Sequence, residues 1–513
     1  MVVAEHTHPP TDGHTPHRPP HNETVPHPTA DPDGTRAQLA TLRPHLLDAY
    51  DTALPGAHAA ILARLLTALE HEPLPALTGR HHHNGHTHVR FTRAVVTYPT
   101  AAATPFTDPL PAPAATVHGE TVTDPARLTA LLWPGSPLTT EIANSVANLA
   151  LARAAAVEDL TEGPGIIEQS LVDGHPLHPC CRTRTGMTVA DVLTYAPEHR
   201  PVIHLRRLLV PENRWYGTAP PVLLAHPWQA ERLLTEYPWL TDDGDTGPAR
   251  PLMSLRTVAP LDGGPHIKTA VDVQMTSAVR TVSPAAVHNG PRLSALLQDL
   301  TADLPLDILA ETEAGAAITA HGPDRRLAHL IRQAPPDDAI PLGVLPNLLQ
   351  TVHDPYSFME DLAEVLFRPL AVVLERGVAL EAHGQNTLIR IVDGRPVRAY
   401  YRDLGGVRVH PGRLGADPGL HGDLPTDDLT ELRTKLSAAA LATVARQTIA
   451  ALQQHADPAR LWQTIARALH GTADTQHLLT DPLPVKATTA MRLATNPLQD
   501  IWTRLDNPMK EHR

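Results

Sequence analysis

A two-residue turn constrains this chain more than any other feature. Residues 387–392 read as a strand, Asp393-Gly394 follows, and residues 395–402 return as a second strand. Asp-Gly is a strong short hairpin signal, because both positions accept the positive φ that such a turn needs. Pairing Val392 with Arg395 across the turn sets Asp403 opposite Gly384. His383, Gln385, Asn386 and Asp403 then gather at the open end of one hairpin. They come from Glu381-Ala382-His383-Gly384-Gln385-Asn386 on one side and Arg402-Asp403-Leu404-Gly405-Gly406 on the other. A carboxylate beside an amide and a histidine suits a metal-bound polyphosphate. The plainer alternative is a polar turn beside a surface hairpin.

The bulk of the chain bounds what such a site can serve. Its 513 residues are enough for about two to four domains with cores of their own. Aromatics make up only 4%, so Leu, Val, Ala and Ile must build those cores. A net charge of −13 with no basic run argues against a nucleic-acid surface. No apolar run approaches bilayer-spanning length, and the N-terminus lacks a charged-then-apolar signal pattern, so the expectation is a cytoplasmic protein without a membrane partner. The two cysteines, Cys180 and Cys181, are adjacent, which rules out a disulfide framework and leaves them as packing residues. Lysine occurs only at Lys268, Lys435, Lys486 and Lys510, whereas arginine is abundant. A lysine inside a polar motif therefore stands out, and Lys268 is the one in such a motif.

Four segments follow from patterning. Residues 1–35, rich in His, Pro and Thr, cannot bury enough apolar surface to offset ordering entropy and are expected to be disordered. Residues 36–171 read as a mostly helical N-terminal lobe, with Pro55-Gly56 separating two helices, weak strands at best in 98–125, and a helix at 141–157 carrying Asn144, Ser145 and Asn148 on a polar strip. Residues 172–290 are β-rich, with turn clusters such as Asp242-Asp243-Gly244-Asp245 between strands. Residues 291–513 are again helical, and the helix at 358–376 should kink or break at Pro369 and end at Gly377. The histidines of the tail and of His81-His82-His83 with His86 and His88 could bind metal but lack defined ligand spacing, so surface or loop histidine is the expected reading.

Further motifs carry chemistry. In Asp173-Gly174-His175-Pro176-Leu177-His178-Pro179 two close prolines forbid a regular helix, so His175 and His178 sit on a rigid loop followed by Arg182 and Arg184. Such a loop can contact phosphate or carboxylate, or be purely structural. His226-Pro227-Trp228-Gln229 reads as scaffold with a core tryptophan. Ser254-Leu255-Arg256-Thr257 reads as a strand with Ser254 and Arg256 on one face, a pairing suited to phosphate or ribose. Lys268, Thr276 and Arg280 share one face if extended, and, stepping through Asp272, one face if helical. A solvated charged face is the bland alternative, weakened by Met275, Ala278 and Val279, which imply partial burial where unpaired cations are costly.

Taken in order, these blocks resemble the aerobactin-synthetase-like IucA/IucC family, the NRPS-independent siderophore synthetases. The family's Gly-His-Pro-x-His-Pro-x-x-Lys-x-Arg-x-Gly block is matched by residues 174–186, with Arg182 where the family usually has lysine. The other blocks fall at 226–229, 254–257, 268/276/280, 381–386 and 402–403, so the resemblance covers roughly residues 141–406. It implies an α+β, hand-like fold of thumb (36–171), fingers (172–290) and palm (291–513), with a central mostly antiparallel sheet and a helical, distantly kinase-like palm. It also implies ATP- and Mg²⁺-dependent condensation of a carboxylic acid with an amine, hydroxylamine or alcohol. By motif, Ser254, Arg256, Thr257, Arg182 and His175 or His178 would hold the nucleotide. Lys268 and Arg280 would bind phosphate and substrate carboxylate, and Thr276 and His383 would position the acid. Gln385, Asn386 and Asp403 would sit on phosphates and metal, with Asn386 and Asp403 as metal ligands. His383 is also a candidate general base. Family members are often dimers, and no interface is legible here.

Two rival readings stand beside it. One is a kinase-like phosphotransferase, disfavoured because no Asp follows His383 in its loop and no Gly-rich phosphate loop appears early. The other is a non-catalytic nucleotide-, metal- or partner-binding protein. The sequence leaves open which acid (citrate, a citryl monoamide or a succinyl-type half-amide) and which amine.

Overall fold

The computed structural model describes residues 30–106, 110, 112–156, 165–276, 278–349, 352–497 and 499–512. The disorder expected at 1–35 falls mostly outside them, but its end is corrected. A helix begins at Pro32, capped by Asp31, whose carboxylate accepts the Gly34 N–H at 2.7 Å, and Thr35 is buried. An acidic N-cap followed by proline at the first helical position is a favoured helix start.

The first lobe centres on two helices, Leu47–His71 and Leu138–Ala154, packed through Leu62, Leu65, Leu66, Ile142, Val146 and Leu149. The expected break at Pro55-Gly56 is absent, because the helix runs straight through. A proline inside a helix costs about 3 kcal/mol, whereas each large side chain buried along this face contributes about 1.5–3 kcal/mol. Gly56 serves packing instead, since a Cβ there would lie 3.1 Å from Arg153 Nη1. The 28-residue stretch Pro44–His71 is also, by length and composition, apolar enough to cross a bilayer, which corrects the expectation that none is; half of its apolar window is buried in this lobe. The mostly helical reading missed a five-stranded antiparallel meander, Leu77–His83, His86–Phe91, Val95–Pro99, Ala115–Val117 and Glu120–Val122. Its strands are short and rich in His and Thr, so no apolar alternation announced them.

The central sheet has eight strands, all paired antiparallel. In spatial order they are Trp215–Gly217, Glu311–Thr319, Gly322–Arg332, His266–Thr269, Thr257–Pro260, Thr241–Pro251, Ile203–Leu209 and Val222–Ala225. The boundary expected at 290/291 is corrected, because the helix Pro284–Thr301 crosses it and the 311–332 hairpin supplies two inner strands. Asp242-Asp243-Gly244-Asp245 is not a turn between strands. It lies within Thr241–Pro251 as an irregularity in the ladder, held by ion pairs from Arg206 and Arg207 on the neighbouring strand.

In the last segment four strands, Leu306–Ile308, Arg395–Tyr401, Thr387–Val392 and Ala339–Pro341, lie against helices that enclose the largest apolar core. The interruption expected near Pro369 occurs just before it. A π-helical stretch Ala363–Phe367 separates the helices Pro355–Leu362 and Arg368–Glu375. Gly377 follows with φ of 96°, as expected of a helix end, and the chain is α+β with mostly antiparallel sheets, the Leu306–Ile308 strand pairing parallel to Arg395–Tyr401.

Candidate active site between fingers and palm

The Asp393-Gly394 hairpin starts in the expected register, Val392 opposite Arg395, but slips by one residue between Ile391 and Arg390. Pro396 has no N–H to give the ladder, and a bulge takes up the extra residue beside it. Thr387 therefore faces Tyr401, and the Arg402 N–H donates to the Asn386 carbonyl at 2.9 Å. Asp403 consequently lies across from Gln385 rather than Gly384. It has φ of 68°, a conformation that side chains other than glycine seldom adopt. Tyr401 holds both sides together, its hydroxyl accepting the Glu381 N–H at 3.1 Å and donating to the Asp403 carbonyl at 3.5 Å.

Lys268 reaches this end of the palm from the central sheet. Its Nζ donates to Asp403 Oδ1 at 2.6 Å, and its side chain is 7% exposed. Burial alone would raise the Asp403 carboxyl, but Lys268 and Arg256 hold it far below the usual carboxylate range. Burial lowers Lys268, opposed by Asp403. Arg280 lies within the electrostatic reach of Arg256 and Asp403, and burial pushes it down to about 10. Among the described residues its guanidinium makes no hydrogen bond or ion pair. An unpaired, desolvated cation is costly alone, so its chemistry suits an anionic ligand.

The segments carrying these cations differ from the expected extended geometry. Residues 252–256 fold into tight turns, with the Leu255 N–H on the Leu252 carbonyl and the Arg256 N–H on the Ser254 carbonyl. Leu255 takes φ of 66° so that its side chain can enter the N-terminal core. Ser254 and Arg256 are thus not alternating strand residues. Ser254 Oγ accepts the Thr257 N–H at 3.2 Å, and Arg256 Nη1 donates to the Thr281 carbonyl at 2.7 Å. Thr257 is buried and pairs with Lys268. The 268–280 stretch is extended rather than helical but occupies two sheets, so Lys268 and Arg280 do not share one strand face. Thr276 sits on a turn with φ of 59°, its N–H on the Thr183 carbonyl at 3.4 Å.

The His-Pro loop bridges two cores. Leu177 packs into the palm core, Cys180 and Cys181 into the N-terminal core, and both cysteines are free. His175 is exposed and within electrostatic reach of His383 and Arg280, whereas His178 is 2% exposed. In His175 and His383, Nδ1 accepts a backbone N–H two residues on, from Leu177 and Gln385, each at 3.2 Å. With Nδ1 an acceptor, the neutral ring carries its proton on Nε2. Burial holds His383 below the ordinary histidine value, so this neutral form prevails. Its Nε2–H is a donor, which fits positioning of an anion better than removal of a proton. Arg182 does not face the cleft. Its guanidinium donates to the Val172 and Leu171 carbonyls and pairs with Glu198, so the nucleotide contact expected of it is corrected to a structural one. Arg184 pairs with the same buried Glu198. The polar strip of the first lobe explains itself here. Ser145 Oγ accepts the Arg182 N–H, Asn144 Oδ1 accepts the Arg184 N–H, and Asn148 Nδ2 donates to the Arg182 carbonyl. Gln229 is also scaffold, clamping the Ala270 carbonyl and the Asp272 N–H, while Trp228 is half-buried at the edge of the N-terminal core with Arg232 over its ring.

Residues 166–221 and 218–347 match the family described as IucA / IucC. Over residues 166–347 the chain is similar to the IucA/IucC family. Residues 357–509 match a second family, described as ferric iron reductase FhuF-like transporter. Among its relatives, staphyloferrin A synthase of Staphylococcus aureus is 27% identical, aligned over 69% of this chain and 74% of that protein. The D-ornithine–citrate ligase of the same organism is 23% identical over 48% of this chain and 50% of that one, so the chain spans only half its length. In fold the chain is similar to the ATP-bound aerobactin synthetase IucA of Klebsiella pneumoniae, with a TM-score of 0.70 and 18% identity, covering 88% of this chain and 99% of the other. These relatives make the family one of acid–amine ligases.

Several residues around Lys268 and Asp403 were not singled out by sequence. Glu311, buried and raised by that burial, stands between Lys268 and Arg332, and its Oε1 accepts the Leu404 N–H at 3.4 Å. Arg402 grips Glu168 through two bonds of 2.5 and 2.8 Å, both side chains 3% exposed, and its Nε donates to the Gln385 carbonyl. Glu381 holds Lys435 at 3.4 Å and Lys486 at 3.7 Å. Three of the four lysines thus pair with Asp403 or Glu381 at the two ends of this hairpin's motifs, so the scarcity that drew notice to Lys268 could have found all three. Gln385 is half-buried and Asn386 buried beside Asp403.

Proposed function

We propose that this chain is an ATP-dependent siderophore synthetase that adenylates a carboxylic acid and passes the acyl group to an amine, hydroxylamine or alcohol. The observation that carries the reading is the 2.6 Å contact of Lys268 with Asp403, which closes fingers on palm beside an unpaired Arg280. The name of the ATP-bound structural relative supports the choice of nucleotide.

A carboxylate acylates poorly because oxide is a poor leaving group. Attack of its oxygen on the α-phosphorus of ATP breaks the bond to pyrophosphate and leaves an acyl adenylate. The amine lone pair then attacks the carbonyl carbon, AMP departs with the bonding electrons, and the amine proton passes to solvent or AMP. Two anions must first be brought together. Arg280 and Lys268 offer positive charge for the acid and the phosphates, His175 and His383 offer Nε2–H donors, and Arg256 adds a third cation. The side-chain oxygens of Asp403 and Asn386, hard donors of the kind Mg²⁺ prefers, would hold that ion, which would supply screening of polyphosphate charge. Alignment in a cleft closed from two sides accounts for much of the remaining rate. The FhuF-like match spans the same hairpin, and both cysteines lie outside it. The reaction needs ATP and the two cysteines are buried thiols, which suits the cytoplasm.

The test is an acid-panel screen for pyrophosphate release, with and without a hydroxylated diamine. Acid-dependent AMP and pyrophosphate support the reading. ADP as product would replace it with phosphotransfer.

A further inference from the structure

The histidine-rich hairpin of the first lobe takes no part in the cleft. Its Asn84-Gly85 turn, with φ of 49° and 74°, sets His83 opposite His86, His82 opposite Thr87 and His81 opposite His88. Opposed residues share a face, and faces alternate along each strand. His81, His83, His86 and His88 therefore all project from one face of the hairpin. The other face is turned inward, where Thr87 is fully buried and His82 Nε2 lies 2.5 Å from Glu70 Oε1 on the long helix. The four-histidine face is open, with His81, His83 and His86 exposed and His88 half-buried. The His81 and His83 ring centroids are 6.2 Å apart, and those of His81 and His88 are 6.3 Å apart.

Hydrogen bonding prepares two of these rings. His86 Nδ1 lies 3.1 Å from the Asn84 carbonyl, and because a carbonyl only accepts, the proton is on Nδ1 and the Nε2 lone pair is available. His88 Nδ1 is likewise engaged, 2.9 Å from Thr97 Oγ1. An imidazole fixed through one nitrogen, with the other presented outward, is how metal-ligating histidines are held.

We propose that this face binds a divalent transition ion of the kind imidazole prefers, Zn²⁺, Ni²⁺ or Cu²⁺, through the cross-strand pairs His83/His86 and His81/His88. Nitrogen donors without a carboxylate select against Mg²⁺, so the site is chemically as well as spatially distinct from the cleft. Among the described residues no three ligand atoms already surround one point. The rings stand side by side on a rigid two-stranded base, and rotation of exposed side chains lets an ion draw two or more Nε2 atoms together.

The test is calorimetric titration of the full chain with zinc or nickel chloride, with magnesium chloride as control, for wild type, His83→Gln/His86→Gln and His81→Gln/His88→Gln. The histidine-rich N-terminal residues are common to all three, so the reading is the difference. A lost binding event, or one weakened about tenfold or more, in a double variant supports the site, as does zinc located about 2.1 Å from Nε2 of two or more of these histidines in soaked crystals. Identical isotherms for all three proteins overturn it. Acid-dependent pyrophosphate release should be unchanged in both variants.

Discussion

Replacing Arg402 by methionine tests the ion pair that anchors the hairpin carrying Asp403. The change strands Glu168, whose carboxylate is 3% exposed and keeps its charge because Arg402 offsets its burial. It also removes two hydrogen bonds to Glu168 and one to the Gln385 carbonyl. Breaking a buried pair from one side costs about 3–5 kcal/mol, whereas replacing both partners by apolar groups of similar volume is often close to neutral. With a urea dependence of about 3 kcal/mol per molar, the single variant should lose about 1 M or more from the unfolding midpoint of the transition that includes the palm. Glu168→Met/Arg402→Met should recover most of that loss. Urea titrations followed by circular dichroism give both numbers, and the cycle isolates the coupling. Equal losses in single and double variants would refute the idea that an uncompensated charge, rather than lost packing, sets the cost.

Other outcomes follow from the same geometry. Lys268→Ala and Arg280→Ala should each abolish acid-dependent pyrophosphate release while leaving the circular dichroism spectrum unchanged; near wild-type turnover would remove either from the site. Gly384→Ala places a Cβ 2.9 Å from the Gly343 backbone, so the loop carrying His383 and Gln385 must shift; turnover should fall more than stability, which should drop by about 1–3 kcal/mol. Burial lowers His226 to about 3, His266 to about 3 and His329 to about 4. Below the unfolded histidine value these three alone bind up to three more protons in the unfolded chain, so their contribution to stability is full above about pH 6.5 and is lost as pH falls, approaching about 4 kcal/mol per pH unit. Melting temperatures between pH 7.5 and 4.5 should trace that loss, and a flat profile would contradict it.

What the sequence disclosed depended on how local each determinant was. The Asp393-Gly394 turn is chosen by two residues, and its hairpin appears where expected. The one-residue slip comes from Pro396, whose effect on the ladder depends on both strands. Lys268 and Asp403 were legible as motif members but not as partners, since 135 residues separate them. Ser254 and Arg256 misled because Leu255 accepts a strained φ in return for burial, a trade visible only once the N-terminal core exists. The resemblance puts Arg182 on the nucleotide through its place in the His-Pro motif. Its guanidinium is taken up by two carbonyls and Glu198, which no spacing rule connects to it. Glu311 reached the site unannounced because the 311–332 hairpin joins a sheet whose other strands come mostly from before residue 270.

The central claim is that cations from the fingers and the acidic end of the palm hairpin make one nucleotide cleft. Titration of Mg-ATP into wild type, Lys268→Ala and Asp403→Asn measures it directly. The account predicts one binding event in wild type that both single variants weaken by about tenfold or more, although their residues lie on different segments. Undiminished binding in either variant, with the fold intact, would contradict it.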